Sequence, residues 1–599
     1  KYFKKKKESA LIMRKQTKLV AVLSTAALLA IGASMTSFAA QGWAEEDGTW
    51  VYYDKNGDKV TEAWKKSGDN WYWLDDNGEM AMDLLVEDDD DYYYVDANGV
   101  MVTNQWVAIE NEDAGEEDEP DHWWYYFGAN GKAYKRSDNA TGDVSLKIIN
   151  GKKYTFDDEG KMQFGWVKDG VRQTDDEAWS ECDYYFGDED DGAMATGWRL
   201  ISITDSNYES DQPDPLGDTW DEEQDRYFWF KASGKKQTSK TNKTIDGHKY
   251  GFDEDGRMIA SWYTTATTSK AKATSPVAAG TEKIQGATDY TKEFLYFNSP
   301  ESGARYTKEW FKVVPGYYLQ QGKYDDGDEY WYYADGNGNL YANEIRTIKG
   351  KKYAFDEYGR NITGLAFLSF NDGDESINIE MKFASDANKG NNGANLSSDE
   401  YTANKMSAKT NPYDTEDDFD KFVNDYQDEI AAGTLRCYYF GDDGAMRTGT
   451  QTVNIDGDSF TFKFNKSGAQ KGAGYVGIDD KKLYMAGKQV KADKDDKYSV
   501  YKVTFNSEDK AIAVVKLETP TFLKNQVTAE KFVKTTNADG DVTWALKDGV
   551  ESINGTSEKY YLVGSNGTIA KGKSSAKDGN DYKFKVNSSY EITEVVLEN

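Results

Sequence analysis

Aromatic rings held at fixed distances from turn glycines are the residues of this sequence best equipped for chemistry. Gly57, Gly78 and Gly99 follow one another at an interval of 21 residues, as do Trp50, Trp71 and Tyr92; Trp43 and Trp64 keep the same interval. Seven residues before each glycine lies a first ring position, occupied by Trp50, Trp71, Tyr92, Trp124, Tyr227 and Trp331. A second follows two residues later, at Tyr52, Trp73, Tyr94, Tyr126, Trp229 and Tyr333. A third, six or seven residues after the glycine, holds Trp64, Trp106, Trp166, Trp198, Trp262 and Trp310. Such rings bury large apolar areas when they pack together, and an open indole face stacks on the flat side of a sugar. Lys153, Lys249, Lys352 and Cys437 interrupt the first position.

Catalytic and metal chemistry have little material to work with. The chain has two His (His122, His248) and two Cys (Cys182, Cys437), which argues against a His-based catalytic or zinc site and against a disulfide framework. Carboxylates are so numerous that no pair stands out for glycoside hydrolysis. The Asp-rich turns Asp325–Asp328 and Asp335–Asn339 lack the complete spacing of a calcium loop. No cofactor and no enzymatic activity are expected. The formal charge of -33 repels phosphates, so nucleic acid is excluded as a partner; solubility or a cationic ligand would suit it.

Short strands must position the rings. In Trp71-Tyr72-Trp73-Leu74-Asp75-Asp76-Asn77-Gly78 the alternating aromatics call for a strand, and Asn77-Gly78 for a tight hairpin turn. One hairpin alone is marginal in water, so neighbours must stack. The expected fold is all-β: a solenoid of stacked β-hairpins over residues 40–370, with acidic insertions at 110–121 and 202–225 and a Thr/Ala/Ser-rich loop at 264–279. An inserted segment follows at 371–434. Phe419, Phe422, Val423, Tyr426 and Ile430 fall at helical spacing there, with Thr415 and Asp418 placed as a capping box, predicting one amphipathic helix over 416–431. Further hairpins are expected over 435–471 and a duplicated β module over 472–599, where Tyr498–Val503 parallels Tyr582–Val586.

The N-terminus reads as an export signal. Met13-Arg14-Lys15 opens a basic segment, an apolar run extends from Leu19 to about Ile31, and Ser37-Phe38-Ala39 offers a cleavage site. Residues 1–39 are taken as signal peptide with upstream residues. The apolar run is too short for a span, so no membrane insertion is expected after its removal.

Trp124-Tyr125-Tyr126-Phe127, Gly192-Ala193-Met194-Ala195-Thr196-Gly197-Trp198 and Gly444-Ala445-Met446-Arg447-Thr448-Gly449 resemble the choline-binding, or cell-wall-binding, repeats of Firmicutes surface proteins. Lys152-Lys153-Tyr154-Thr155-Phe156-Asp157 is more similar to the related repeats of glucan-binding proteins and large clostridial toxins. The resemblance implies that rings of successive hairpins cage the quaternary ammonium of choline on teichoic acid, at about 0.5–2 kcal/mol per ring contact. Carried across position by position, it implies a cage of Trp50, Trp64 and Trp73 and another of Tyr92, Trp106 and Tyr126. Trp71, Leu85 and Tyr94 would lack the middle ring, and Lys153, Lys249 and Lys352 would repel choline. The expectation is a non-catalytic secreted protein of the Gram-positive cell wall or cell surface. Its partner is choline on teichoic acid or another envelope polysaccharide. Alternatives are an adhesin for glucan or host glycan, and the targeting module of a cell-wall hydrolase.

Overall fold

The computed structural model describes residues 41–205, 223–264, 291–370, 379–380, 415–493 and 495–599. The segment 1–39, expected to be a signal peptide, lies outside the described residues, as do most of the 264–279 stretch and most of the inserted segment. The described chain is mostly β-strand and falls into two units. One runs to Ser261 and includes Asn298–Ala304; the other comprises Trp262–Phe297 and Arg305–Asn599.

In the first unit antiparallel hairpins follow one another along the chain. Gly42–Glu46 pairs with Thr49–Tyr53, Ala63–Ser67 with Asn70–Leu74, and Leu84–Asp88 with Asp91–Val95. Gln105–Glu110 pairs with His122–Phe127 and Gly197–Thr204 with Glu223–Phe230. The closing turn is not the one expected. The ladder of the second hairpin closes at Gly68-Asp69, between Ser67 and Asn70, while the Asn77-Gly78 turn holds only the single bridge Leu74–Met80.

The physical reason is that the strand after Gly78 is claimed elsewhere. Met80 N donates to Trp50 O (2.7 Å) in the preceding hairpin. The same bond recurs from Met101 to Trp71 (2.9 Å), Ala133 to Tyr92 (2.7 Å), Met162 to Trp124 (2.8 Å), Met194 to Lys153 (2.8 Å) and Met258 to Tyr227 (2.8 Å). In the second unit it runs from Asn361 to Trp331 (2.7 Å), Met446 to Lys352 (2.8 Å) and Gly474 to Cys437 (2.7 Å). At these turns the amide two residues past the glycine therefore bonds the first-position carbonyl of the hairpin before. A backbone bond is indifferent to side chain, so Lys153, Lys352 and Cys437 hold the register where the ring is lost.

The turn itself is built by its aspartate. Asp75 Oδ1 accepts from Asn77 N (2.9 Å) and Glu79 N (2.8 Å), an Asx turn that leaves Gly78 at φ +76°. Asp335 repeats this with Asn337 N (2.7 Å) and Asn339 N (2.9 Å), so an oxygen considered for calcium is committed to the backbone. A Cβ on Gly78 would lie 2.8 Å from the Lys59 side chain and 2.9 Å from Val60 O. Gly78→Ala is accordingly expected to cost about 1–3 kcal/mol, from backbone strain and this close approach. A shifted urea midpoint checks it, and an unshifted one contradicts the packing.

Asp157 occupies the equivalent turn with its carboxyl mostly enclosed. Burial pushes its pKa up to about 6, although the amides of Glu159 and Lys161 bond Oδ1. The folded chain thus holds a proton that the unfolded chain releases. This contribution to stability is present below about pH 4 and is lost as the pH rises through 6, amounting to up to about 3 kcal/mol. Asp157→Asn keeps the acceptor oxygen. The difference in unfolding free energy between variant and parent is expected to change over that window; a constant difference refutes the assignment.

The second unit begins with four hairpins, the last joining Gly364–Phe370 to Leu435–Phe440, and then widens. A five-stranded sheet has the order Gly449–Ile455, Asp458–Phe464, Lys488–Gln489, Lys482–Met485, Gly477–Asp479, so strands from both sides of residue 472 share it. Two similar hairpins follow, Tyr498–Phe505 with Ala511–Leu517 and Tyr582–Val586 with Ile592–Leu597. Their surroundings differ: the first gains Glu558–Gly564, and the second sits within five strands.

Two helices stand where one was expected. Glu416–Asp425 starts at the Thr415/Asp418 capping box and ends at Tyr426 (φ -110°, ψ 25°); Gln427–Ala432 then ends at Gly433 in the left-handed region. The break accompanies burial of the Tyr426 ring, 4.6 Å from Phe422, in the core formed with Phe419, Val423, Leu365, Phe462 and Phe464.

Candidate functional site: an aromatic face on each hairpin

Strand alternation gives each hairpin two faces. Trp64 is paired with Trp73 and Lys66 with Trp71, so the third, first and second positions share one face. The pairing recurs as Trp43 with Tyr52, Leu85 with Tyr94, Trp106 with Tyr126, Trp198 with Trp229 and Trp310 with Tyr333. A third-position ring therefore faces the rings that follow it in the chain.

This phase decides where the anticipated cage residues go. Trp64 and Trp73 come together, ring centroids 5.3 Å apart, and Trp64 also packs on Tyr93 at 5.1 Å. Trp50 stands in the preceding hairpin, grouped with Trp43, Tyr52, Tyr72, Leu74 and Met80. Trp106 and Tyr126 likewise meet at 5.2 Å. Tyr92 belongs to the hairpin before, packed with Tyr94, Tyr125 and Phe127, and the ammonium of Lys135 lies over its ring at 5.7 Å. The sequence reading thus drew each triplet from two consecutive hairpins.

Much of the ring-bearing face is spent on the next hairpin. Trp106 meets Tyr154 at 5.0 Å and Phe156 at 5.9 Å; Trp198 meets Tyr250 at 4.9 Å and Phe252 at 5.7 Å; Trp310 meets Tyr353 at 4.8 Å and Phe355 at 5.6 Å. The three tyrosine contacts are edge-to-face and the three phenylalanine contacts nearer to stacked, and such pairs add about 0.5–1.5 kcal/mol each beyond area burial. The first position lies beside the ladder turn, at the hairpin tip, and there the covering is incomplete. Trp71 is 41% and Trp331 45% exposed.

The result is an aromatic corner. The Trp331 ring stands at 85° to Trp310 with centroids 6.4 Å apart, the same arrangement as Trp124 with Trp106 (85°, 6.4 Å) and Tyr227 with Trp198 (90°, 6.2 Å). One open indole over a half-buried one can flank a methylated cation or stack a sugar. Sequence reasoning missed the grouping of Trp310, Trp331 and Tyr333, although their types and offsets were visible, because strand pairing was needed to join them.

The surroundings are acidic. Burial, then a hydrogen bond to the Asp83 carboxylate, holds the Tyr94 hydroxyl well above the ordinary phenol range. Cys182 and Cys437 are buried free thiols, and burial pushes Cys182 up to about 11. Among the described residues no group of three or more His, Cys, Asp or Glu side chains is placed to hold a metal ion. No helix among them is long and apolar enough to cross a membrane.

Residues 60–106 match the family model of the choline-binding repeat. This segment carries the choline-binding repeat. The matched segment contains Trp64, Trp71, Trp73, Tyr92, Tyr94 and Trp106, hence the open Trp71 tip. Comparison with curated proteins finds no match. Among solved structures, the repeats are similar to the modular autolysin LytC from Streptococcus pneumoniae in complex with a synthetic peptidoglycan ligand (16% identity, TM-score 0.27, 54% of each chain covered). They are also similar to the choline-binding domain of CbpL (22%, TM-score 0.22, 37% of this chain and 87% of that one) and to choline binding protein F (15%, TM-score 0.20, 76% and 100%), both from the same organism. The match spans about half the length of the autolysin chain, and TM-scores this low carry no argument about function.

Proposed function

We propose that this chain is a non-catalytic secreted surface protein that binds cell-wall polymer through the aromatic corners of its choline-binding repeats, with choline on teichoic acid as the ligand. The carrying observation is that the family match over 60–106 includes the hairpin whose second ring, Trp73, is buried, whose third, Trp64, is half-buried, and whose first, Trp71, is 41% exposed. A methylated ammonium donates no hydrogen bonds, so ring faces can replace its water. Weak sites repeated along a polymer gain by multivalency, and a solenoid arrangement of the hairpins would present them in series. Retention on purified cell walls, reversed by millimolar choline, tests the reading; a chain that fails to bind walls in either arm rejects it.

A second reading, a glycan-binding adhesin, is favoured by the protein's own cations. Lys65 lies over Tyr52 at 5.3 Å and Lys243 over Trp229 at 4.2 Å, besides Lys135 over Tyr92. A cationic guest competes with these ammonium groups, whereas sugar hydroxyls can bond them. Elution by oligosaccharide and not by choline selects this reading.

A further inference from the structure

Two lysine side chains among the described residues are buried, and the fold holds them differently. Lys236, 3% exposed, donates to the backbone oxygens of Trp179 and Ser180. Lys488, 1% exposed, meets carboxylates instead: Asp420 Oδ1 and Glu416 Oε1 each lie 2.6 Å from its Nζ.

Backbone fixes both sides of this contact. Lys488 sits in the interior of the five-stranded sheet, opposite Phe462 on one neighbouring strand and Met485 on the other. Glu416 and Asp420 stand one turn apart on the helix Glu416–Asp425, which puts them on one side of it. The capping box at Thr415 and the buried side chains of Phe419, Phe422 and Val423 hold that helix in place. Phe419 and Phe460 flank the ammonium, with ring centroids at 5.6 and 5.4 Å, and so separate it from water. A carboxyl oxygen at 2.6 Å brings its carbon to about 3–3.5 Å from the nitrogen, the separation of a near-attack pair.

We propose that Lys488 and Asp420 join in an isopeptide bond, with Glu416 relaying the protons. The Nζ lone pair bonds to Asp420 Cγ, and one Cγ–O bond breaks. Of the three ammonium protons, one stays on the amide nitrogen and two leave with that oxygen as water. Glu416 takes protons from the nitrogen and returns them to the departing oxygen, ending unchanged. No oxidant, metal or co-reactant enters. Burial raises the pKa of Asp420 and thereby favours the neutral amine–acid pair from which attack proceeds. The ion pair is the folded precursor, and closing it as an amide removes two charges from a site that hydrates them poorly. The bond ties helix to sheet across 68 positions of the chain, which constrains the unfolded state as other cross-links do.

Peptide mapping of the folded full chain by mass spectrometry, after digestion under denaturing conditions, tests the proposal. The expected species joins the peptides containing Asp420 and Lys488 and is lighter than their sum by one water. Glu416→Gln is expected to slow its formation about 100-fold or more, the usual worth of a positioned acid–base group, with the fold retained by circular dichroism. Asp420→Ala is expected to abolish it. The parent chain decides the question even where a variant fails to fold: separate, full-mass peptides from the parent after days at neutral pH overturn the proposal. So does a missing water that maps to any other pair of residues, or an undiminished cross-link in Glu416→Gln. Wall retention plays no part in these readouts, so the wall-binding reading fails or stands separately.

Discussion

Lys488→Ala is expected to lower the unfolding free energy of the second unit by about 3–5 kcal/mol, the usual cost of removing one partner from a buried ion pair. Lys488 is 1% exposed, and its ammonium lies 2.6 Å from both Asp420 Oδ1 and Glu416 Oε1 on the helix Glu416–Asp425. Burial raises the pKa of Asp420 and the lysine opposes that shift, so truncation leaves a half-buried carboxylate without its counter-charge. The same ammonium lies over Phe419 at 5.6 Å and Phe460 at 5.4 Å, so it docks the helix on the sheet through rings as well as charge. Urea denaturation measures the loss. A double variant with Asp420→Asn is expected to recover part of it, as coupled partners do. A loss below about 1 kcal/mol refutes the account.

The other large effect separates packing from binding within one aromatic corner. Trp310 touches Trp331, Tyr333, Tyr353 and Phe355, with centroids between 4.8 and 6.4 Å. Trp310→Ala is expected to destabilise by about 3–5 kcal/mol, as a large ring removed from a core does. Trp331 stands at the open tip, and Trp331→Ala is expected to change stability by about 1 kcal/mol or less. Retention on cell walls should respond differently. Losing one cation–π wall worth about 0.5–2 kcal/mol weakens a site about 2- to 30-fold, and adding Trp71→Ala compounds the loss on a multivalent polymer. Melting curves beside wall-binding isotherms read both quantities. Unchanged retention in the Trp71/Trp331 double variant removes these two open rings as binding elements.

The ring at Trp310 also illustrates what could be read in advance. Its type and its offset from a turn glycine were visible, as was the alternation that makes Tyr330–Ala334 a strand. Its neighbours were not. The 21-residue period has no preferred starting point, so residues could be grouped around Asn77-Gly78 or around Gly68-Asp69 with equal regularity. Only the ladder, in which Trp64 faces Trp73, selects the second grouping. The helical segment shows the same limit. Apolar spacing and the Thr415/Asp418 cap announced a helix, whereas the break at Tyr426 accompanies a ring drawn into a core of residues distant in the chain.

Sequence by itself determined the predominantly β character, the ring register and the positions of the Asx turns, because period-two aromatics, Asx chemistry and glycine's tolerance of positive φ act within a few residues. Tertiary structure alone decided which rings share a face, which are enclosed by the next hairpin, and that Trp71 and Trp331 stay open. Those outcomes depend on the bond from each turn's following amide to the preceding hairpin's carbonyl, a contact between segments that no local pattern specifies.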